Sequence, residues 1–200
     1  MKTIGITGGV GCGKSKILEY ISKNCNCRII LADDVDNKLK EPGEVCYFKL
    51  IELLGEDVID LESPHKAIDK KKMAAAIFND EELLLKVNDI IHPAVTEYIL
   101  NQKEIEKEKG LIDYFFIEAA LLIECGYRNY VDELWYIYAD ERTRVERLIS
   151  SRGYSESKIA SIMASQLSEE EFRENCDYVI DNSGSLEETY KQVNERIGLV

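Results

Sequence analysis

Residues 8–15, close to the amino terminus, have the types and spacing of a loop that binds phosphate groups. They read GGVGCGKS and match the pattern G-x-x-x-x-G-K-[ST] at every fixed position. Glycines let successive backbone N–H groups turn toward one anion, and a following helix offers its positive N-terminal end. Lys14 then reaches the β- and γ-phosphates, and the hydroxyl of Ser15 can ligate Mg²⁺. The motif therefore predicts a site for a nucleoside triphosphate with Mg²⁺.

Two acidic residues, Asp33 and Asp34, follow the second predicted strand. A parallel sheet places such residues at the edge where the phosphate loop also lies. A carboxylate there can accept the proton of an attacking hydroxyl and help to hold Mg²⁺ through water. We predict that Asp33 does this, whereas Asp34 is the N-cap of the next helix.

Other nucleotide-binding classes lack their own motifs in this chain. The dinucleotide fingerprint needs a third glycine where Lys14 stands. A GTPase needs N-K-x-D, whereas residues 37–40 read NKLK, and the only D-x-x-G lies at 181–184. No L-S-G-G-Q-like stretch of a transport ATPase is present. A small-molecule kinase remains, and the alternative from another class is a nucleotide-dependent switch.

The elements that must position these residues alternate between strand and helix. Strands are predicted at 2–7, 28–31, 111–117, 134–138 and 178–180, and helices follow the loop at 15–23 and lie at 141–151 and 155–166. Near-continuous apolar strands separated by helices indicate the α/β class with a five-stranded parallel sheet covered on both faces. The pair at 141–166 carries Arg142, Arg144, Arg147 and Arg152. It is predicted to be a mobile lid over the phosphates.

Residues 41–109 interrupt this alternation. They contain helical patterns at 45–54, 70–78 and 81–109, with His92-Pro93 as a helix junction. We predict one domain with a core at 1–40, 110–140 and 173–200, a helical insertion at 41–109 and a lid at 141–166.

Composition limits the partners. The 25 basic and 38 acidic residues give a formal net charge of −13. Nucleic acid and anionic membranes are therefore poor partners. No transmembrane or secretory segment is evident, so a cytoplasmic protein is expected, and a monomer is favoured. The six cysteines are expected to be reduced and buried.

Seven segments follow one another along the chain: ITGGVGCGKS at 6–15, Ala32-Asp33, EPG at 41–43, IHP at 91–93, LLIE at 121–124, Gln166 and DYVIDNSG at 177–184. Taken in this order, they resemble the dephospho-CoA kinase family nearly from end to end. The resemblance implies the P-loop NTPase fold with three layers, a helical acceptor-binding insertion and a helical lid. It implies that the protein uses ATP with Mg²⁺ to phosphorylate the ribose 3′-hydroxyl of dephospho-CoA. This reaction gives coenzyme A and ADP and is the last step of coenzyme A biosynthesis. Another small-molecule kinase of this fold, acting on a nucleoside monophosphate, stays open as an alternative.

The resemblance also implies site residues. Asp33 is the base, with Lys14 and Arg147 as the other catalytic groups. The implied ATP site comprises Gly11, Cys12, Gly13, Lys14, Ser15, Lys16, Arg147, Arg152, Asp181, Asn182 and Gly184. The implied acceptor site comprises Asp33, His92, Leu121, Leu122 and Glu124. The implied magnesium ligand is Ser15, with Asp33 through water.

Four departures from the family pattern concern the acceptor site and the lid: Leu31, Ala119-Ala120, Lys16 and Ser161. Cys12 is interpreted as a tolerated small residue of the loop, with sensitivity to oxidation as the alternative.

Overall fold

The computed structural model describes residues 1–78 and 80–199. The chain divides into two compact units, one formed by residues 1–29 and 109–200 and the other by residues 30–108.

The first unit is built on a β-sheet. Its strands are β1 (Lys2–Thr7), β2 (Cys27–Leu31, whose last two residues belong to the second unit), β3 (Tyr114–Glu118), β4 (Glu133–Tyr138) and β5 (Tyr178–Asp181). The strand order is β2-β3-β1-β4-β5, and β1 pairs in parallel with both β3 and β4, as β4 does with β5. The predicted α/β class with a five-stranded parallel sheet is confirmed.

The central strands are apolar because helices cover the sheet. Ile4 and Ile6 of β1, Phe115 of β3 and Trp135 of β4 are completely buried. Fully burying one such side chain contributes about 1.5–3 kcal/mol. This core fixes the carboxyl ends of β1 and β3, where the phosphate loop begins.

Strand β3 differs from the prediction at both ends. Residues 111–113 lie outside it, and Leu111 is 73% exposed. The amide of Asp113 donates instead to the carbonyl of Asn26, in the turn that precedes β2. At its other end the strand includes Glu118, which the prediction left out.

The helices of this unit are α1 (Lys14–Asn24), α6 (Glu141–Arg152), α7 (Glu156–Ala164), α8 (Glu169–Asn175) and α9 (Leu186–Ile197). Side-chain caps begin four of these helices. Asp140 caps α6 and Ser155 caps α7, while Ser168 and Ser185 form capping boxes at α8 and α9. Each cap is worth about 1 kcal/mol.

Apart from Ile30 and Leu31 of β2 and one isolated bridge between Ile59 and Ile68, the regular elements described in the second unit are helices. Its helices are α2 (Ala32–Leu39), α3 (Val45–Leu54), α4 (Lys70–Ile77) and α5 (Glu81–Lys109, whose last residue belongs to the first unit). They bury a separate core, including Leu50, Met73, Val87 and Ile99.

The prediction of a helix junction at His92-Pro93 is wrong, because α5 continues through Pro93. Pro93 has no amide N–H to donate, so the helix forgoes one bond there. Burial of Ile91, Val95 and Ile99 on one face stabilises the helix on both sides of the proline. The proposed limits of core, insertion and lid remain predictions.

Candidate active site

The phosphate loop connects β1 to α1 in the first unit. Gly13 is the N-cap of α1 at φ +93°, without a side-chain cap, and no acidic residue lies in the first helical turn. The positive end of α1 is therefore open to an anion. A Cβ atom on Gly13 would lie 2.3 Å from Nδ2 of Asn182, so the loop requires glycine here for both conformation and space.

Lys14 lies folded over the loop. Its Nζ donates to the carbonyl oxygen of Gly8 at 2.7 Å and lies 3.7 Å from Oε1 of Glu118. Both charged side chains are 15% exposed. The ammonium group therefore lies between the first residue of the loop and the end of β3, where it can contact a phosphate that the loop binds.

Glu118 is a site residue that the sequence analysis missed. It ends β3 and lies in register with Ile6 of β1, directly before the loop. The available signal is the apolar run at 114–117 followed by an acid, which is the pattern of the acidic magnesium ligand in phosphate-loop enzymes.

Arg147 and Asn182 both donate hydrogen bonds to the backbone of the loop. Nδ2 of Asn182 donates to the carbonyl of Cys12 at 2.7 Å, and Oδ1 accepts from the Thr189 hydroxyl at 3.0 Å. Arg147 donates to the carbonyl of Cys12 at 3.4 Å and to that of Asn182 at 2.8 Å. Asn182 is 1% exposed. Both residues were predicted to contact ATP, and in this structure both bind the backbone around the loop.

The other predicted phosphate-site residues differ in exposure. Ser15 is exposed at the start of α1, whereas the Cys12 side chain is buried at 1% exposure. Lys16 is exposed and pairs with Glu19 at 3.0 Å. Its hydrogen bond to Glu19 raises the pKa of Lys16. Burial of the Cys12 thiol agrees with its interpretation as an inert loop residue.

Arg152 lies at the exposed end of α6, beside the ring of Tyr154 at 6.0 Å. The Nζ of Lys158 lies 3.7 Å from the centre of the same ring. The hydrogen bond from Arg152 and the charge of Lys158 lower the pKa of Tyr154. This part of the predicted lid is therefore a cationic cluster around a tyrosine.

The segment predicted to lie beside adenine follows β5. Asp181 and Gly184 are both exposed, and Oδ1 of Asp181 accepts from the amide of Ser183 at 2.8 Å. The Ser183 hydroxyl accepts from the amide of Asp140 at 2.9 Å. These bonds tie the turn to the N-terminus of α6.

The segment after β3 carries three residues predicted for the acceptor site. Leu121 is 49% exposed and Glu124 is exposed, but Leu122 is fully buried. Leu122 lies so close to Gly5 that a Cβ atom there would be 3.2 Å from Cδ1. Leu122 is a core residue, which does not support the predicted contact with the acceptor.

In the second unit, Asp33 and Asp34 both lie in the first turn of α2 and are exposed. The prediction that Asp34 is the N-cap is wrong, because the cap is Leu31 and the helix begins at Ala32. Carboxylates in a first turn face the positive end of the helix, which stabilises them without a capping bond. His92 is half-buried within α5.

Within residues 1–78 and 80–199, no group of three or more His, Cys, Asp or Glu side chains is arranged to hold a metal ion. In the same ranges, no helix has the length and apolarity needed to span a bilayer.

Strand β1 leads into a glycine loop with Lys14, and the helix that follows has no side-chain cap. An acid ends the adjacent strand, and α6 carries several arginines. This combination is that of a phosphate-loop kinase. Solved structures share this fold. A Thermus thermophilus protein matches with a TM-score of 0.80 at 24% identity, covering 100% of this chain and 97% of that one. Dephospho-CoA kinase from Campylobacter jejuni matches with a TM-score of 0.73 at 24% identity, covering 99% and 96%.

Sequence comparison is more specific. The family model described as dephospho-CoA kinase matches residues 2–188. The dephospho-CoA kinase of Aquifex aeolicus is 40% identical over 98% of this chain and 95% of its own length. That of Shouchella clausii is 31% identical over 97% and 96%. The chain belongs to the dephospho-CoA kinase family, and the predictions of its family and kinase activity are confirmed.

The support of Cys12 by Asn182 can be tested with Asn182→Asp. The change replaces the Nδ2 donor by an acceptor that faces a carbonyl oxygen. We expect a loss of about 1–3 kcal/mol in the free energy of unfolding, measured by urea denaturation, and weaker ATP binding. Thr189→Ser keeps the hydroxyl and is the control. Equal stability of Asn182→Asp and wild type would contradict this role.

Proposed function

We propose that this chain transfers the γ-phosphoryl group of ATP to the ribose 3′-hydroxyl of dephospho-CoA, with Asp33 as base and Lys14 as the main phosphate ligand. The observation that carries the proposal is the position of Lys14. Its ammonium group is bound to the first residue of the loop, and the N-terminus of α1 after the loop is open to an anion. Membership of the family supports dephospho-CoA as the acceptor.

Phosphoryl transfer requires positioning and positive charge around the transferred group rather than a covalent step. Lys14 supplies a point charge where the β- and γ-phosphates would lie. Arg147 lies against the carbonyl of Cys12 and so brings a second positive charge to the loop. A guanidinium has five N–H donors, so backbone bonds use only part of its capacity.

Ser15 and Glu118 have the chemistry to hold Mg²⁺. A hydroxyl at the start of α1 and a carboxylate beside Lys14 are hard oxygen donors, and Mg²⁺ is usually held by one or two such groups together with substrate phosphates. When bound, the ion would neutralise charge on the phosphate oxygens. The predicted water-mediated contribution of Asp33 is part of this proposal.

Asp33 is proposed to accept the proton of the attacking hydroxyl. It is exposed and lies in the first turn of α2, directly after β2. Asp34 lies in the same helix turn, with the same charge and the same exposure, so it interacts equally well with the positive end of the helix. The proposed roles of His92, Leu121 and Glu124 at the acceptor, and the cytoplasmic location and monomeric state, remain predictions.

The function is tested by measuring ADP release from Mg²⁺-ATP with dephospho-CoA, AMP, CMP, GMP or no acceptor. We expect turnover with dephospho-CoA alone and a product one phosphate heavier at the ribose. Turnover with a nucleoside monophosphate instead would show a different acceptor. ATP hydrolysis without any acceptor would contradict the proposal.

Asp33→Asn isolates the proposed base. We expect kcat to fall by about 10²-fold or more, because general base catalysis contributes about 10²–10⁴, while the Kd for ATP changes little. Asp34→Asn is the matched control and should retain most of the activity. Equal loss in the two variants would assign both carboxylates to the stability of α2.

Glu118→Gln isolates the proposed magnesium ligand. The amide is a weaker ligand for a hard cation, so we expect half-maximal rate at a Mg²⁺ concentration about tenfold higher. Asp113→Asn, before the amino end of β3, is the control. An unchanged Mg²⁺ requirement would exclude Glu118 as a ligand.

A further inference from the structure

The tip of the phosphate loop is held by two side chains that no prediction assigned to the site. Oε1 of Gln166 accepts from the amide of Val10 at 3.0 Å, and Nε of Arg144 donates to the carbonyl of Val10 at 2.8 Å. Nη2 of Arg144 also donates to Oε1 of Gln166 at 3.0 Å. The three groups close a ring of hydrogen bonds, which we call the Val10 clasp.

The clasp lies against the loop. A Cβ atom on Gly9 would be 2.4 Å from Nη2 of Arg144, so the guanidinium contacts the loop next to Val10 as well. Arg144, Val10 and Gln166 are all partly buried in this arrangement. Burial strengthens such bonds and makes the loss of one partner costly.

The two side chains come from opposite ends of the predicted lid. Arg144 lies near the start of α6, and Gln166 follows the end of α7. The amide of Gln166 donates to the carbonyl of Met163, which fixes the residue to the last turn of α7. The base of the helical pair is therefore attached to the loop at one residue, with the turn around Gly153 at its far end.

The clasp also determines which loop amides can bind phosphate. The amide of Val10 is already bound to Gln166, which removes it from the loop amides available to an anion. Both backbone polar groups of Val10 are occupied by side chains, which fixes the orientation of the next peptide unit. Arg144 and Gln166 thus constrain the loop at the residue before Gly11.

We propose that Arg144 and Gln166 are positioning residues that hold the phosphate loop in its ATP-binding conformation and attach the base of the lid to it. The inference rests on the proposed ATP site. Neither residue needs to touch the nucleotide. Loss of either one therefore weakens ATP binding and lowers kcat, while the KM for dephospho-CoA changes little.

The test is a double-mutant cycle with Arg144→Leu and Gln166→Leu, measured by ATP binding in the absence of acceptor and by steady-state kinetics. We expect each single variant to raise the Kd for ATP about tenfold, the scale of one lost buried hydrogen bond. The Kd for ATP of the double variant should be at most about twice that of the single variant with the higher Kd, because the clasp is a single unit.

Gln166→Glu retains the acceptor oxygen beside Arg144 but adds a negative charge near the phosphates, so it should bind ATP more tightly than Gln166→Leu and less tightly than wild type. Arg173→Leu is the control, because Arg173 lies on α8, outside the predicted lid, and its Nε pairs with Glu169 at 2.8 Å. If a leucine variant does not fold, Arg144→Lys provides the same test, since it retains the charge and loses the planar pair of donors.

Affinities within twofold of wild type in both leucine variants, or losses that multiply in the double variant, would overturn the proposal. ATP binding by Gln166→Glu that is no tighter than that of Gln166→Leu would also overturn it. ATP binding is measured without acceptor, so an enzyme that failed to phosphorylate dephospho-CoA would refute the proposed function and still test the clasp.

Discussion

A loop that turns its N–H groups toward one anion must turn carbonyl groups away from it, and those carbonyl groups need donors of their own. Lys14 within the loop and side chains from other parts of the chain supply them here. The pairs are Lys14 with Gly8, Arg144 with Val10, and both Asn182 and Arg147 with Cys12. The phosphate loop is therefore built by contacts on its outer side as much as by its own glycines.

This constraint explains why binding and stability are coupled in the first unit. Thr189 on α9 bonds Asn182, which in turn bonds Cys12. The capping box at Ser185 begins α9 and so fixes the position of Thr189 one turn later. A change at the start of the last helix can therefore reach the loop through two hydrogen bonds.

Local signals were enough for the loop and for the presence of the five strands, because a glycine motif and apolar runs act over a few residues. They failed where the outcome depends on packing or register. Pro93 lies within α5 because buried residues on both sides stabilise the helix. Asp34 lies inside α2 because the helix begins three residues earlier than a capping Asp34 would allow. Glu118 becomes a site residue only through its register with Ile6.

The Val10 clasp was beyond sequence reasoning for the same reason, since it unites residues 10, 144 and 166, which only the tertiary fold brings together. Gln166 was noticed through the family resemblance, but no spacing rule connects it with Arg144. Its amide is useful because it is neutral. An amide oxygen can accept from an arginine and from a backbone N–H without adding negative charge near a phosphate.

The same reasoning explains how a chain of net charge −13 binds a polyanion. Several surface cations pair with carboxylates, such as Lys16 with Glu19 and Arg173 with Glu169. The bonds described for Arg144 and Arg147 go instead to carbonyl and amide oxygens. Neutral acceptors fix a guanidinium in place without cancelling its charge. The positive potential at the loop is thereby maintained locally, within a protein whose long-range field repels the substrate.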